Sequence, residues 1–233
     1  MHLLAIETSA DHCSCALSVN GSIHDTCVEA GHTHSALLLP MVTRLMADSG
    51  LAFSQLDAIA FGAGPGSFTG LRIACGAAQG LAFAHDLPVV PVSTLEALAL
   101  EADADRVLAC LDARMGELYL AAYERAGEEL RMVYAPALLK TAALPDLPGH
   151  WVGVGSGFGA HAAPLTERYT LSSTQAGLFP RAAAVARLAV ARFARGEVVP
   201  ADAAAPIYLR DKVALDVTEQ AALRAANLSA AAA

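Results

Sequence analysis

Charge is scarce in this chain: 16% of its 233 residues are Asp, Glu, Lys or Arg, against 55% that are apolar. The little charge present leans acidic, to a net −8. A protein that grips a nucleic-acid backbone unaided needs a basic face, so this class is disfavoured. Long apolar runs are missing as well. No stretch approaches the roughly 20 residues that cross a bilayer, so no membrane association is expected. Met1-His2 leads straight into Leu3-Leu4-Ala5-Ile6 without a basic n-region, and a cytoplasmic protein without a signal peptide is expected. Cys13, Cys15, Cys27, Cys75 and Cys110 are odd in number and form no CxxC, which reads as reduced, buried thiols. His32 and His34 have no HExxH or HxxxH around them, so no metal is expected. Ser67 lacks a GxSxG setting, and no lysine follows the glycines before it as a Walker A loop would require.

Glycine and alanine are plentiful, and they concentrate on one stretch. Residues 56–61 read as a buried strand ending in the turn Gly62-Ala63-Gly64-Pro65-Gly66. Ser67 or Thr69 can cap a helix expected over 70–85. That helix carries Gly76 and Gly80 four apart, with Ala74, Ala77, Ala78 and Ala84 around them. Each interior glycine costs about 1 kcal/mol relative to alanine, and close approach of another helix would offset it. The preceding helix, over 34–46, is too apolar for one stripe: Leu37, Leu38, Leu39, Met41, Val42, Leu45 and Met46 cover more than half its circumference. Such a helix is buried on two sides. Pro40 either kinks it or marks its start.

Along the rest of the chain, strands over 3–8, 13–19 and 22–29 open the fold, the last two joined by the hairpin signal Asn20-Gly21. A strand over 87–92 and a helix over 94–100, capped by Ser93, follow. The pattern restarts near 102–105, with strands over 106–111, 117–123, 130–134 and from 151. Strand-turn-strand in both halves suggests a duplicated α/β architecture. An amphipathic helix is expected over 181–195, then an alanine-rich tail from 219, helical at first and frayed at its end.

Candidate chemistry is sparse. Glu7-Thr8-Ser9 with Asp11 could touch a phosphate or merely close a turn. The loop 62–70 could cradle an anion at a helix N-terminus or serve packing, and the GxGxG of a third glycine loop, 153–159, is by itself a weak signal. Asp112, Arg114 and Glu117 bind something polar or form surface ion pairs.

Four runs together resemble the bacterial TsaB (YeaZ) family: Leu4-Ala5-Ile6-Glu7-Thr8-Ser9, Gly64-Pro65-Gly66-Ser67-Phe68-Thr69-Gly70-Leu71-Arg72-Ile73, Asp112-Ala113-Arg114-Met115-Gly116-Glu117-Leu118-Tyr119 and Pro206-Ile207-Tyr208-Leu209-Arg210. The resemblance spans essentially the whole chain and implies an actin/Hsp70/sugar-kinase-like (ASKHA) fold of two related lobes, the first with a mixed five-stranded sheet. It implies a first lobe over 1–103, a second over 104–205 and a C-terminal segment, 206–233, packing back on the first. It implies a non-catalytic subunit of the machinery that makes threonylcarbamoyladenosine at position 37 of tRNA, paired with the transferase TsaD and with the ATPase TsaE. Contact with tRNA would come only through that complex, and the chain alone would form a homodimer. Where TsaD-like proteins carry His-x-Glu-Gly-His, this chain has Thr94-Leu95-Glu96-Ala97-Leu98, without either imidazole. The expected docking residues are Leu38, Met41, Leu45, Leu71, Ile73, Gly76, Ala77 and Gly80. Thr8, Ser9, Asp11, Gly64, Gly66, Ser67, Gly153 and Gly155 are expected as a vestigial nucleotide or phosphate site, with no cofactor required. The rival readings are a stand-alone phosphotransferase or ATPase and, more remotely, a glycoprotease-like peptidase.

Overall fold

A computed structural model describes residues 1–127 and 129–210 of the chain. The first lobe is built from β1 (His2–Glu7), β2 (His12–Val19), β3 (Ser22–Glu29), α1 (His34–Ser49), β4 (Ala58–Gly64), α2 (Phe68–His85), β5 (Val89–Ser93) and α3 (Thr94–Leu100). Its sheet runs β3-β2-β1-β4-β5, antiparallel through β3, β2 and β1 and parallel from β1 through β4 to β5. The second lobe holds β6 (Arg106–Arg114), β7 (Glu117–Ala126), β8 (Glu129–Lys140), β9 (His150–Val154), α4 (Gly157–Ala160), α5 (Ala162–Arg168) and β10 (Thr170–Gln175). Its sheet runs β8-β7-β6-β9-β10 with the same senses in the same places. Identical order and sense in both sheets is the duplicated ASKHA-like architecture. The expected hairpin at Asn20-Gly21 is present, with both residues at positive φ (50° and 91°), as a primed turn requires.

The central strands carry apolar residues without alternation because the sheet is covered on both faces. Leu4 and Ile6 of β1, with Ile59 and Phe61 of β4, pack under α1 and α2. Leu3 and Ala5, with Ala58 and Ala60, face the other way. What covers that second face is α6 (Ala182–Ala194), through Ala182, Val185, Ala186 and Ala189. Alanine against alanine lets this helix lie close to the sheet, which accounts for much of the chain's alanine. The expected second lobe, 104–205, is therefore too long. The chain returns to the first lobe at α6, and Val199 then pairs both ways with Val89 along the edge of β5 (2.8 and 2.9 Å).

The lobes meet along α3. Leu95, Leu98 and Ala99 share a core with Val107, Ala109 and Tyr123 of the second lobe. Arg192 of α6 ion-pairs with Glu96 and donates to the Pro91 carbonyl at 2.7 Å, fixing α6 to α3 beside that joint. Among the described residues no helix is long and apolar enough to cross a membrane. The five cysteines are free. The expected alanine-rich tail from 219, and the segment 206–233 from residue 211 on, lie outside the described residues, while 206–210 run without regular structure.

Candidate functional site

Two features stand out, a helical face and the cleft between the lobes. The helical face begins with α2. Ser67 caps it weakly, its Oγ accepting from Gly70 N–H at 3.4 Å, and the helix ends where Asp86 turns left-handed (φ 53°). Ala74, Cys75, Ala78 and Ala82 point into the core. Gly76 and Gly80 are on the opposite side, exposed, and a Cβ added to either would meet nothing within 4 Å among the described residues. Among the described residues no contact offsets the helix-forming cost of these glycines. Three residues beyond Gly80 stands Phe83, 81% exposed. Ile73 and Ala77 sit half-buried at the rim of this strip.

α1 lies beside α2 and is anchored by Leu38, Val42, Leu45 and Met46. Leu37 and Met41 are half-buried at its flank, and Leu39 is 51% exposed. The helix starts at His34 and continues through Pro40, so the proline does not mark its beginning. Three expected docking residues need correction. Leu38 and Leu45 are buried in the lobe's own core, holding α1 to the sheet, and Leu71 is buried against Gly64 at the end of β4, at the wall of the cleft. Met41, Ile73, Gly76, Ala77 and Gly80 do reach the outer side. Sequence reasoning missed Phe83 as a site residue, although its spacing of three and seven from Gly80 and Gly76 puts it on their face.

The cleft encloses about 770 Å³ between the lobes. Of the expected phosphate residues, Ser9, Asp11, Gly66 and Ser67 line it. Thr8, Gly64, Gly153 and Gly155 are buried behind it, and each is occupied by the fold. The Thr8 hydroxyl donates to the Gly70 carbonyl at 2.7 Å, bracing the first turn of α2. A Cβ on Gly66 would come 2.7 Å from Ser9, and one on Gly155 2.5 Å from the Cys110 carbonyl, with Gly155 already at φ 98°. On Gly153 a Cβ would strike the Phe158 ring. These glycines let chain segments touch, the packing alternative that the sequence left open.

Glu7 turns inward. Its Oε1 accepts from Ser9 N–H at 2.5 Å, and its Oε2 lies buried without a hydrogen-bond partner among the described residues. Burial pushes its carboxyl up to about 7, against the opposing pull of the Ser9 hydroxyl and amide, the Thr8 amide and the Thr94 hydroxyl. Thr94 is wholly buried and accepts from Gly64 N–H at 3.1 Å, while Leu98 belongs to the core that joins the lobes. The side chain of His34 is bonded to the Ala10 carbonyl at 2.9 Å. Among the described residues no group of three or more His, Cys, Asp or Glu is placed to hold a metal ion. Asp112 pairs with Arg114 (3.2 Å) and faces His161 (3.4 Å), and Glu117 pairs with Arg210 (2.8 Å).

Comparison with known proteins fits this geometry. Residues 28–214 match the family described as TsaD, tRNA N6-adenosine threonylcarbamoyltransferase. The Escherichia coli protein named tRNA threonylcarbamoyladenosine biosynthesis protein TsaB is 39% identical over 224 residues, covering 92% of this chain and 96% of its own. The chain belongs to the TsaB family. Another TsaB, from Haemophilus influenzae, is 37% identical over 227 residues, covering 91% and 94% of the two chains. The solved structure of YeaZ from Pseudomonas aeruginosa superposes with a TM-score of 0.82 at 42% identity, covering 89% of this chain and 99% of that one. The chain carries the two ASKHA-like lobes of this family, and the helical face with Gly76 and Gly80 lies on the first of them.

Proposed function

We propose that this chain is a non-catalytic docking subunit in the synthesis of threonylcarbamoyladenosine on tRNA, and that it pairs with TsaD through the outer side of α1 and α2. The names of its relatives supply the pathway. The observation that carries the docking role is Gly76 and Gly80 facing open space beside Phe83. A partner helix laid in that groove would approach closely and would repay both glycines. Met41, Ile73 and Ala77 form the groove's flank. Without TsaD a second copy of the chain would use the same face and give a symmetric homodimer. TsaE would join the assembled pair in the cytoplasm, and tRNA would be met through the complex. On this reading neither a metal nor a nucleotide is required of the chain: the resemblance puts Thr94 and Leu98 where TsaD-like proteins hold imidazoles, and the loop glycines serve packing.

The test is co-purification of Gly76→Leu and Gly80→Leu with TsaD. Leucine is the better helix former at both positions, so the variants should fold at least as well and still fail to bind. Retained co-purification places the contact elsewhere. Nucleotide turnover by the purified chain alone, abolished by Asp11→Ala, would instead favour an independent phosphotransferase.

A further inference from the structure

Beyond Ala204 the chain crosses from one lobe to the other. Ala204 is buried, and its carbonyl accepts from Gln79 Nε2 at 2.8 Å and Cys75 Sγ at 3.5 Å, both on α2. Ile207 N–H then donates to the Ala63 carbonyl at 2.7 Å, near the end of β4. A Cβ on Gly64 would come 2.8 Å from the Ile207 carbonyl, so the segment lies that close only because residue 64 is glycine. Tyr208 accepts from Arg72 Nε at 3.0 Å, and the Arg72 guanidinium sits 3.7 Å above the Phe68 ring. At Arg210 the chain has reached the second lobe. There its guanidinium donates to the Ala113 carbonyl at 2.9 Å and meets the Glu117 carboxylate at 2.8 Å, both beside the β6–β7 turn. The two charged side chains are mostly enclosed, at 16% and 22% exposure.

The two ends of this crossing differ. The first-lobe end is tied by backbone and aromatic contacts spread over α2 and β4. Among the described residues the second-lobe end is tied through one side chain, that of Arg210. Residues 207–210 line the cleft, and at the lobes' other meeting place α3 joins them through an apolar core. Apolar burial cannot be undone piecemeal, whereas a charge pair at a partly wet rim can part and re-form.

We propose that residues 206–210 are a strap that sets how far the lobes stand apart across the cleft, with Arg210–Glu117 as its releasable catch. When the catch opens, the strap stays moored at Ala204, its run from Ile207 onward comes away from β4, and the lobes pivot about the α3 core. This holds whether or not the α1–α2 face binds TsaD.

The test uses the full chain with Arg210→Ala, Glu117→Gln, and the exchanged pair Arg210→Glu with Glu117→Arg. Hydrogen exchange at the Ile207 amide and the radius of gyration from small-angle scattering are read together. Each single variant should speed that exchange by about tenfold or more, as the loss of a charge-assisted contact implies, and should expand the molecule while amides of β1 and β4 keep their native rates. The exchanged pair should restore both readings. Glu117→Gln preserves side-chain size, so it decides the matter if Arg210→Ala folds poorly. Unchanged exchange at Ile207 overturns the proposal. So does faster exchange without expansion, which describes a loose end rather than a tie, and so does a rise spread through β1 and β4, which makes Arg210 a general support.

Discussion

The two lobes share one sheet plan and cover it differently. In the first lobe the chain between β3 and β4 contains the sixteen-residue α1, and between β4 and β5 the eighteen-residue α2. In the second, the stretch between β8 and β9 holds only the single turn Thr141–Ala143, and α4 and α5 together replace α2 with short pieces. Those pieces put Phe158 and Leu165 into the core and leave no large apolar side chain exposed. Exposed apolar groups of the second lobe lie instead on the β6–β7 turn and on β8, at Met115, Met132 and Val133. A sheet of this topology therefore does not dictate its helical cover. The first lobe has more helix than its own core consumes, and the surplus is the Gly76–Gly80–Phe83 strip.

The sharpest way to break that comparison is to cut on either side of α1. Leu38→Ala should destabilise the chain by about 2–5 kcal/mol, because it opens a cavity against the sheet. Leu39→Ala, on the exposed side, should change stability by less than about 0.5 kcal/mol. Equal losses in chemical denaturation would mean that both sides are core.

Glu7 offers a second handle on the first lobe. Its folded value, about 7, lies above its ordinary value of 4.5. Between these values the folded state holds more protons than the unfolded chain, so stability is fullest below about 4.5 and is lost as pH rises toward 7. The loss is on the order of 3 kcal/mol. Glu7→Gln should flatten the stability–pH curve over that window, and a curve that keeps its slope would move the titration to another group.

Glycine gives a comparison of sign. Gly66→Ala should cost about 1–3 kcal/mol, since its Cβ has to displace Ser9. The same change at Gly80, where the space is open, should stabilise the free chain by up to about 1 kcal/mol. Thermal unfolding of the two variants settles whether the glycines serve packing in one place and a partner in the other.

How much of this was legible in the sequence follows from how local each signal is. β1 and β4 were readable because burial on both faces leaves continuous apolar runs, and the Asn20-Gly21 turn because its backbone demands those residues. The excess of apolar side chains on α1 was visible, but which of them face the sheet was not: Leu38 and Leu39 are adjacent and chemically identical. β10 went unread because Thr170–Gln175 is a mostly exposed edge strand, Thr-Leu-Ser-Ser-Thr-Gln, without apolar alternation. The return of α6 to the first sheet was hidden for a different reason. Its inward stripe of alanine and valine fits any close-packed face, and only the opposing alanines of β1, β2 and β4 select one. The site's glycines were found but not their purposes, since Gly66, Gly76 and Gly155 look alike until their neighbours are in place. The Arg210–Glu117 pair spans most of the second lobe's sequence, and no local pattern announces it.

Titration calorimetry of TsaD against the native chain and the Gly80→Leu variant addresses the docking face most directly. Measurable binding is expected for the native chain and none for the variant, whose melting temperature should equal or exceed the native one. Native-like affinity in a folded Gly80→Leu chain would contradict it.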